Sequence, residues 1–73
     1  MSNFVVYGTY YNVPDLAPAR WSVNELKLSR PLPWEKALEL AQREAREEYA
    51  PGCVCLSIRI VCQGKTVWQW YHD

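Results

Sequence analysis

The segment PWEKALELAQREAREEY, residues 33–49, decides the fold, because its apolar residues recur at unmistakably helical intervals. At about 100° per residue, apolar side chains fall on one arc and charged or amide side chains on the opposite arc. The segment has a proline at its first position, and Pro51-Gly52 follows its last periodic residue, which are typical start and stop signals. We therefore predict one amphipathic helix over residues 33–49, whose dry face consists of Trp34, Ala37, Leu38, Ala41, Ala45 and Tyr49.

Two strands are predicted before this helix. Residues 4–11, FVVYGTYY, are β-branched and aromatic, which favours an extended strand. Residues 12–19 contain two prolines and an aspartate and are predicted to form a loop. Residues 21–29 alternate in two pieces whose phase differs, which predicts a second strand with a bulge near Asn24 and Glu25.

Two further strands are predicted after the helix, over residues 53–62 and 66–72. In the first of these, the even-numbered side chains are expected to pack on the helix and the odd-numbered ones to face away. The even set is Val54, Leu56, Ile58, Ile60 and Cys62, and the odd set is Cys53, Cys55, Ser57 and Arg59. The predicted fold is therefore a single α+β domain over residues 1–73 with the order ββαββ, a four-stranded, mostly antiparallel sheet and one amphipathic helix on one face.

The last hairpin allows two registers. A two-residue turn centred on Gly64 and Lys65 would place Trp68 and Trp70 on the face away from the helix. A three-residue loop over residues 62–64, with Gly64 left-handed, would bury both tryptophans on Ile58 and Leu56. The small alanines on the dry face of the helix leave space for large side chains, so we favour the second register.

Composition restricts the classes of function. The 73 residues carry eight acidic and eight basic side chains, so there is no general electrostatic attraction to nucleic acid or to anionic membranes. No apolar run approaches the length of a membrane span, and no signal peptide is recognisable at the N-terminus. Three cysteines cannot form a closed set of disulfides, so we expect free thiols and a cytoplasmic location.

Catalytic and metal-binding patterns are weak. The single histidine, His72, is a poor catalyst because chain ends fray. Cys53, Cys55 and His72 could form part of a zinc site, but zinc usually has four ligands, and semi-buried thiols are the simpler interpretation. The glutamates on the helix alternate with basic residues, as on a solvated helix face. We therefore predict a protein that is not an enzyme and has no catalytic residues, cofactor or metal.

The aromatic content is the one unusual feature. Four tryptophans, five tyrosines and one phenylalanine are more than a domain of this size with one helix can hide. The face of the sheet away from the helix is expected to carry Tyr7, Tyr11, Cys55, Ser57, Arg59, Val67 and Tyr71, joined by Trp21. These side chains either stiffen a thin sheet through cross-strand pairs or form a binding surface, for which the predicted residues are Tyr7, Tyr11, Trp21, Arg59 and Tyr71.

Two binding functions follow from this surface. The first is a non-enzymatic protein-binding module, monomeric or homodimeric, that occupies the surface of another protein. The alternative is a single-stranded nucleic-acid-binding accessory protein, in which bases stack on the tyrosines and Arg20, Lys27, Arg30 and Arg59 follow the phosphates.

Residues 25–73 resemble a known group of proteins in layout. The order of a strand, the helix over residues 33–49, a strand over residues 53–62, the hairpin at Gln63-Gly64-Lys65 and a tryptophan-rich last strand is similar to small phage- and mobile-element-encoded proteins, including some anti-CRISPR proteins. The resemblance implies an inhibitor that blocks a host defence complex by stoichiometric binding, without chemistry.

Overall fold

The computed structural model describes residues 3–11, 23–49 and 52–72 of the chain. The predicted loop over residues 12–19 and Trp21 lie outside the described residues. The elements are β1 (Phe4–Tyr11), β2 (Val23–Lys27), α1 (Trp34–Arg46), β3 (Val54–Cys62) and β4 (Lys65–Tyr71).

The four strands form one open antiparallel sheet in the order β2-β1-β3-β4, with β1 and β3 at its centre. Together with α1 they give the predicted ββαββ order, and this fold class is confirmed. A short antiparallel bridge joins Phe4, the first residue of β1, to Leu32, two residues before α1. The N–H groups of Phe4 and Leu32 each donate to the other residue's carbonyl, at 3.0 and 2.8 Å. This bridge fixes the start of α1 next to the start of β1.

Helix α1 is shorter than predicted. It begins after Pro33, whose carbonyl accepts a hydrogen bond from Ala37, and ends at Arg46, whereas the prediction extended it to residue 49. The chain turns to an extended conformation at Glu47, which frees Tyr49 to pack its ring against Tyr10, at 5.5 Å between centroids. Apolar contact with the sheet therefore outweighs the last helical turn.

The core lies between α1 and the centre of the sheet, and its buried members are Val6, Tyr10, Ala37, Ala41, Cys55, Ile58 and Ile60. The two helix alanines are fully buried, which allows α1 to approach the sheet closely. The ring of Tyr10 lies over Gly8, two residues earlier on the same face of β1, and fills the space that a side chain at Gly8 would need.

The predicted bulge in the second strand is wrong. β2 pairs with β1 in an unbroken register from Val23 opposite Tyr11 to Lys27 opposite Tyr7. The apparent change of phase arose because Val23 is apolar but 57% exposed, so its position does not mark the core side of the strand.

A bulge occurs instead in β3. Thr9 pairs with Ser57 and Tyr10 with Cys55, so Leu56 is an extra residue opposite β1. The extra residue inverts the alternation towards the start of the strand, which brings Cys55 into the core and places Val54 opposite Tyr11 on the other face. The prediction that Cys55 lies on the face away from the helix is therefore wrong, as is the placement of Val54 against the helix.

The last hairpin combines features of both predicted registers. Its turn has two residues, Gln63 and Gly64, both with positive φ (53° and 79°), which is the pattern of a type I′ turn. A bulge at Val67 then restores the pairing of even with even residues, so that Trp68 lies opposite Ile60 and Trp70 opposite Ile58.

The predicted side of the two tryptophans is therefore correct, since both pack against the core and are half-buried. The predicted three-residue loop is wrong, and so is the pairing with Leu56, because the turn is tighter and the extra residue lies in the strand.

Candidate functional site

The sheet surface that faces away from α1, which we call the open face, carries four of the five predicted binding residues: Tyr7, Tyr11, Arg59 and Tyr71. The fifth, Trp21, lies outside the described residues. Register and alternation place further side chains on this surface, namely Val5, Thr9, Val23, Glu25, Lys27, Val54, Ser57, Val61, Thr66 and Gln69. Val67, predicted to lie on it, is the extra residue of the β4 bulge and is 49% exposed.

Arg59 is the centre of the open face. Its Nε donates to Glu25 Oε2 at 2.8 Å and its Nη2 to Glu25 Oε1 at 2.9 Å, which is a two-pronged ion pair. Its Nη1 donates to Thr66 Oγ1 at 3.1 Å, and its guanidinium carbon lies 5.0 Å from the centroid of the Tyr7 ring. Arg59 on β3 thus contacts the edge strand β2 across Tyr7 of β1, and it contacts the other edge strand, β4, directly.

This ion pair fixes geometry more than it adds stability. Side chains that are 34% exposed at Arg59 and 40% exposed at Glu25 are screened by water, and such pairs contribute roughly 0.2–1 kcal/mol. The hydrogen bonds from Arg59 hold the pKa of the Glu25 carboxyl below its usual range, so the pair stays charged at neutral pH.

The tyrosines of the open face extend from this centre to one end of the sheet. Tyr71, near the end of β4, is 66% exposed, while Tyr7 and Tyr11 are half-buried. Tyr11 lies between Val23 on β2 and Val54 on β3. This end of the open face is therefore apolar and aromatic, whereas its centre, at Arg59 and Glu25, is charged. The prediction that aromatic side chains remain outside the core is correct for these three tyrosines.

Sequence patterns missed Glu25 and Thr66 as the partners of Arg59. Both lie on other strands, and their alignment with Arg59 depends on the register of three strands at once. The misplaced bulge at Asn24 and Glu25 also obscured which way the Glu25 side chain points. The one available signal was an acidic residue in a strand facing the same way as an arginine.

A second polar cluster lies on the helix side, at the end of α1. The Tyr49 hydroxyl is 2.8 Å from the Glu44 carbonyl oxygen and 2.7 Å from Glu44 Oε2, and the same carbonyl also accepts a hydrogen bond from the Glu47 N–H at 3.3 Å. Burial raises the pKa of Tyr10 to about 12, and burial with the nearby Glu44 carboxylate raises the pKa of Tyr49 further. Burial also raises the pKa of the Cys55 thiol. These groups are neutral at physiological pH, which suits packing better than nucleophilic catalysis.

The residues considered for zinc binding do not form a metal site. Cys53, Cys55 and His72 line one small cavity of about 240 Å³ beside Tyr49 and Trp70. Nevertheless, within residues 3–11, 23–49 and 52–72, no group of three or more histidine, cysteine or acidic side chains is arranged to hold a metal ion. All three cysteines are free thiols, as predicted.

None of the helices in the described part of the chain is long and apolar enough to cross a membrane. Comparisons of the chain with protein-family models, with curated proteins and with solved structures found no match.

Proposed function

We propose that this chain is a non-enzymatic protein-binding module that docks its partner on the open face through Tyr7, Tyr11, Arg59 and Tyr71, with Trp21 as the fifth contact. The observation that carries the proposal is the exposure of Tyr71, 66% accessible on the same surface as an arginine held in one orientation. Tyrosine and arginine are the side chains that most often dominate the energy of protein interfaces.

The open face is also preorganised for binding. Arg59 is fixed by Glu25 and Thr66, and Tyr7 is held beneath its guanidinium, so these side chains lose little conformational freedom when a partner covers them. Ordering a flexible, rotamer-rich side chain at an interface costs about 0.5–1.5 kcal/mol, and this cost is largely avoided here. Strands also position side chains more rigidly than loops do.

We further propose that the partner is a host complex, and that binding inhibits it stoichiometrically in the manner of a phage-encoded inhibitor of host defence. Two features support this proposal. Within the described residues no serine, threonine or cysteine side chain hydrogen-bonds to a histidine or a carboxylate, and the layout of residues 25–73 resembles that of small phage-encoded inhibitors. An inhibitor of this kind needs a complementary surface and no chemistry of its own.

The ion pair between Arg59 and Glu25 favours a protein partner over single-stranded nucleic acid. Its charge is matched by the two carboxylate oxygens of Glu25, so phosphate groups would compete with an existing ion pair. The overall net charge of zero adds no attraction.

Affinity capture from a lysate of the native host, followed by mass spectrometry, tests the proposed surface. We expect Tyr71→Ala and Arg59→Ala each to reduce capture of the partner about tenfold or more, the size of effect typical of interface hot spots. The matched control is Arg43→Ala, which removes an arginine from the exposed side of α1. Circular dichroism of each variant confirms that the fold is retained.

Equal capture by the open-face variants and the wild type would overturn the assignment of this surface. Loss of capture after nuclease treatment, together with a steep dependence on salt, would instead show nucleic-acid binding.

A further inference from the structure

The two edges of the sheet differ in how they are protected. The β2 edge is five residues long and carries Glu25 and Lys27, and charged side chains on a short strand discourage pairing with another chain. The β4 edge is seven residues long and its single charged residue, Lys65, is the first one. No strand of the described residues pairs with the outer side of β4. Beyond the bulge at Val67, such an edge is a template for an additional strand.

The backbone of β4 presents its polar groups to that side. The His72 N–H donates to the Leu56 carbonyl on β3 at 2.9 Å. Because backbone groups of successive residues point to opposite sides of a strand, Tyr71 and Gln69 direct their N–H and C=O groups away from β3. Both residues are exposed, so these groups are available for hydrogen bonds to another strand.

An apolar groove runs beside this edge on the helix side. Helix α1 packs on β1 and β3, so the tryptophans of β4 extend beyond its cover and are only half-buried. Trp68 and Trp70 form the floor of a groove of about 320 Å³, and Gln42, Ala45 and Arg46 form its helix wall. A strand added to β4 would cover the exposed edges of these two indole rings on the helix side.

We propose that the occupant is a second copy of this chain, paired antiparallel along β4 about a twofold axis at Gln69. In this register Gln69 faces its own counterpart, and Val67 faces Tyr71 of the second copy. Trp68 then faces the counterpart of Trp70 on the helix side, so the two grooves join and cover each other's tryptophans. The residues with outward-pointing backbone groups, Gln69 and Tyr71, fall at the hydrogen-bonded positions of the new ladder.

The twofold axis also sets the relative direction of the two helices. Trp34, the first residue of the helix, contacts Phe4, which is level with the start of β4 because both Phe4 and Lys65 pair with Cys62. Arg46, the last residue of the helix, lies beside the tryptophans further along β4. The helix therefore runs in the same direction as β4, and twofold pairing places the two helices antiparallel. Because Arg46 lines the groove over Trp68 and Trp70, the last turns of the two helices flank the axis and the first turns, with Glu35, point away from it. The chain's zero net charge adds no repulsion between copies.

The twofold axis would be perpendicular to the sheet, so the two sheets form one continuous sheet of twice as many strands, with both open faces on the same side. This arrangement leaves the surface proposed for partner binding uncovered and presents it twice. Dimerisation is tested by the mass of the chain in solution and partner binding by capture, so the failure of one proposal does not decide the other.

Sedimentation equilibrium across a range of concentrations tests the dimer. Because Gln69 meets itself on the axis, Gln69→Lys and Gln69→Glu should each weaken the homodimer, by roughly fivefold for like charges directly opposite on neighbouring strands. Mixing the two variants should restore or exceed wild-type affinity, since opposite charges then meet. Val23→Lys, which places the same charge on an exposed position of the β2 edge, is the matched control and should leave the dimer unchanged.

The proposal is overturned if the wild-type chain sediments with the mass of one copy at concentrations up to about 1 mM. At that concentration, half of the chains would be in dimers even if the free energy of dimerisation were only about −4 kcal/mol. A dimer that Val23→Lys disrupts, or one that the two Gln69 variants form as tightly alone as in mixture, overturns the assignment to β4.

Discussion

Replacing Gly8 with alanine tests whether the ring of Tyr10 depends on the missing side chain. A Cβ built at Gly8 would lie 2.6 Å from Cε1 and from the hydroxyl oxygen of Tyr10, and 2.8 Å from its Cζ. These distances are well inside van der Waals contact. Tyr10 is only 4% exposed and its ring also packs on Tyr49, so it has little room to move aside.

Two opposing effects determine the size of the change. Overpacking a core with an extra methyl group costs about 1–3 kcal/mol. Alanine within a strand gains about 0.5–1 kcal/mol over glycine because the unfolded chain loses less freedom. We therefore expect Gly8→Ala to lower the free energy of unfolding by about 1–2 kcal/mol, a large part of the roughly 4–11 kcal/mol typical of a domain of this size.

Urea unfolding in a double-mutant cycle measures this coupling. In a Tyr10→Val background the ring is gone, so Gly8→Ala should become stabilising by about 0.5–1 kcal/mol. The control is Gly64→Ala, which has free space around its Cβ but a φ of +79°, and should cost about 1–2 kcal/mol in either background. An equal cost of Gly8→Ala in both backgrounds, or no cost in the wild type, would refute the packing argument.

Two further predictions concern the dependence of stability on pH. Because Arg59 lowers the pKa of Glu25 in the folded state, their ion pair contributes fully above the unfolded pKa near 4.5 and is lost as pH falls below it. Urea midpoints of Glu25→Gln should therefore fall less steeply than those of the wild type between about pH 5 and pH 3, and parallel curves would contradict this. Because burial raises the pKa of Tyr10 from 10.0 to about 12, the folded protein keeps a proton that the unfolded chain loses, and stability should decrease as pH rises through that interval. Tyr10→Phe should show a shallower decrease over the same interval in urea titrations, whereas Tyr7→Phe on the open face serves as the control.

The helix and the ββαββ order of elements along the chain were predictable because they depend on local periodicity. The dry face of α1 was identified from its alanines, and Ala37 and Ala41 are indeed fully buried. β1 was predicted with its observed bounds, because all of its residues except Gly8 are β-branched or aromatic. The end of the helix was not predictable, since it depends on the contact of Tyr49 with Tyr10, 39 positions earlier in the chain.

The bulges could not be predicted from alternation. Each adds one residue to one strand of a pair, and neither Leu56 nor Val67 has a glycine or proline next to it in the sequence that would mark the bulge. A single inserted position exchanges the two faces for every residue beyond it, which is why Cys55 moved from the predicted surface into the core. Tyr7, Tyr11 and Arg59 lie on the predicted face because no extra residue interrupts the alternation of their own strands around them. Tyr71 lies on the predicted face because the bulge at Val67 has the same effect on the alternation as the extra loop residue that was expected.

The neighbours at the centre of the sheet, β1 and β3, are far apart in the sequence, since Phe4 pairs with Cys62 and Tyr11 with Val54. Their pairing closes a long loop before either strand gains its main partner, and such non-local contacts slow folding. During synthesis β1 and β2 can form only a two-stranded ribbon, which is marginally stable in water, until β3 leaves the ribosome. The chain should therefore acquire its tertiary structure in one late, cooperative step rather than progressively from its N-terminus.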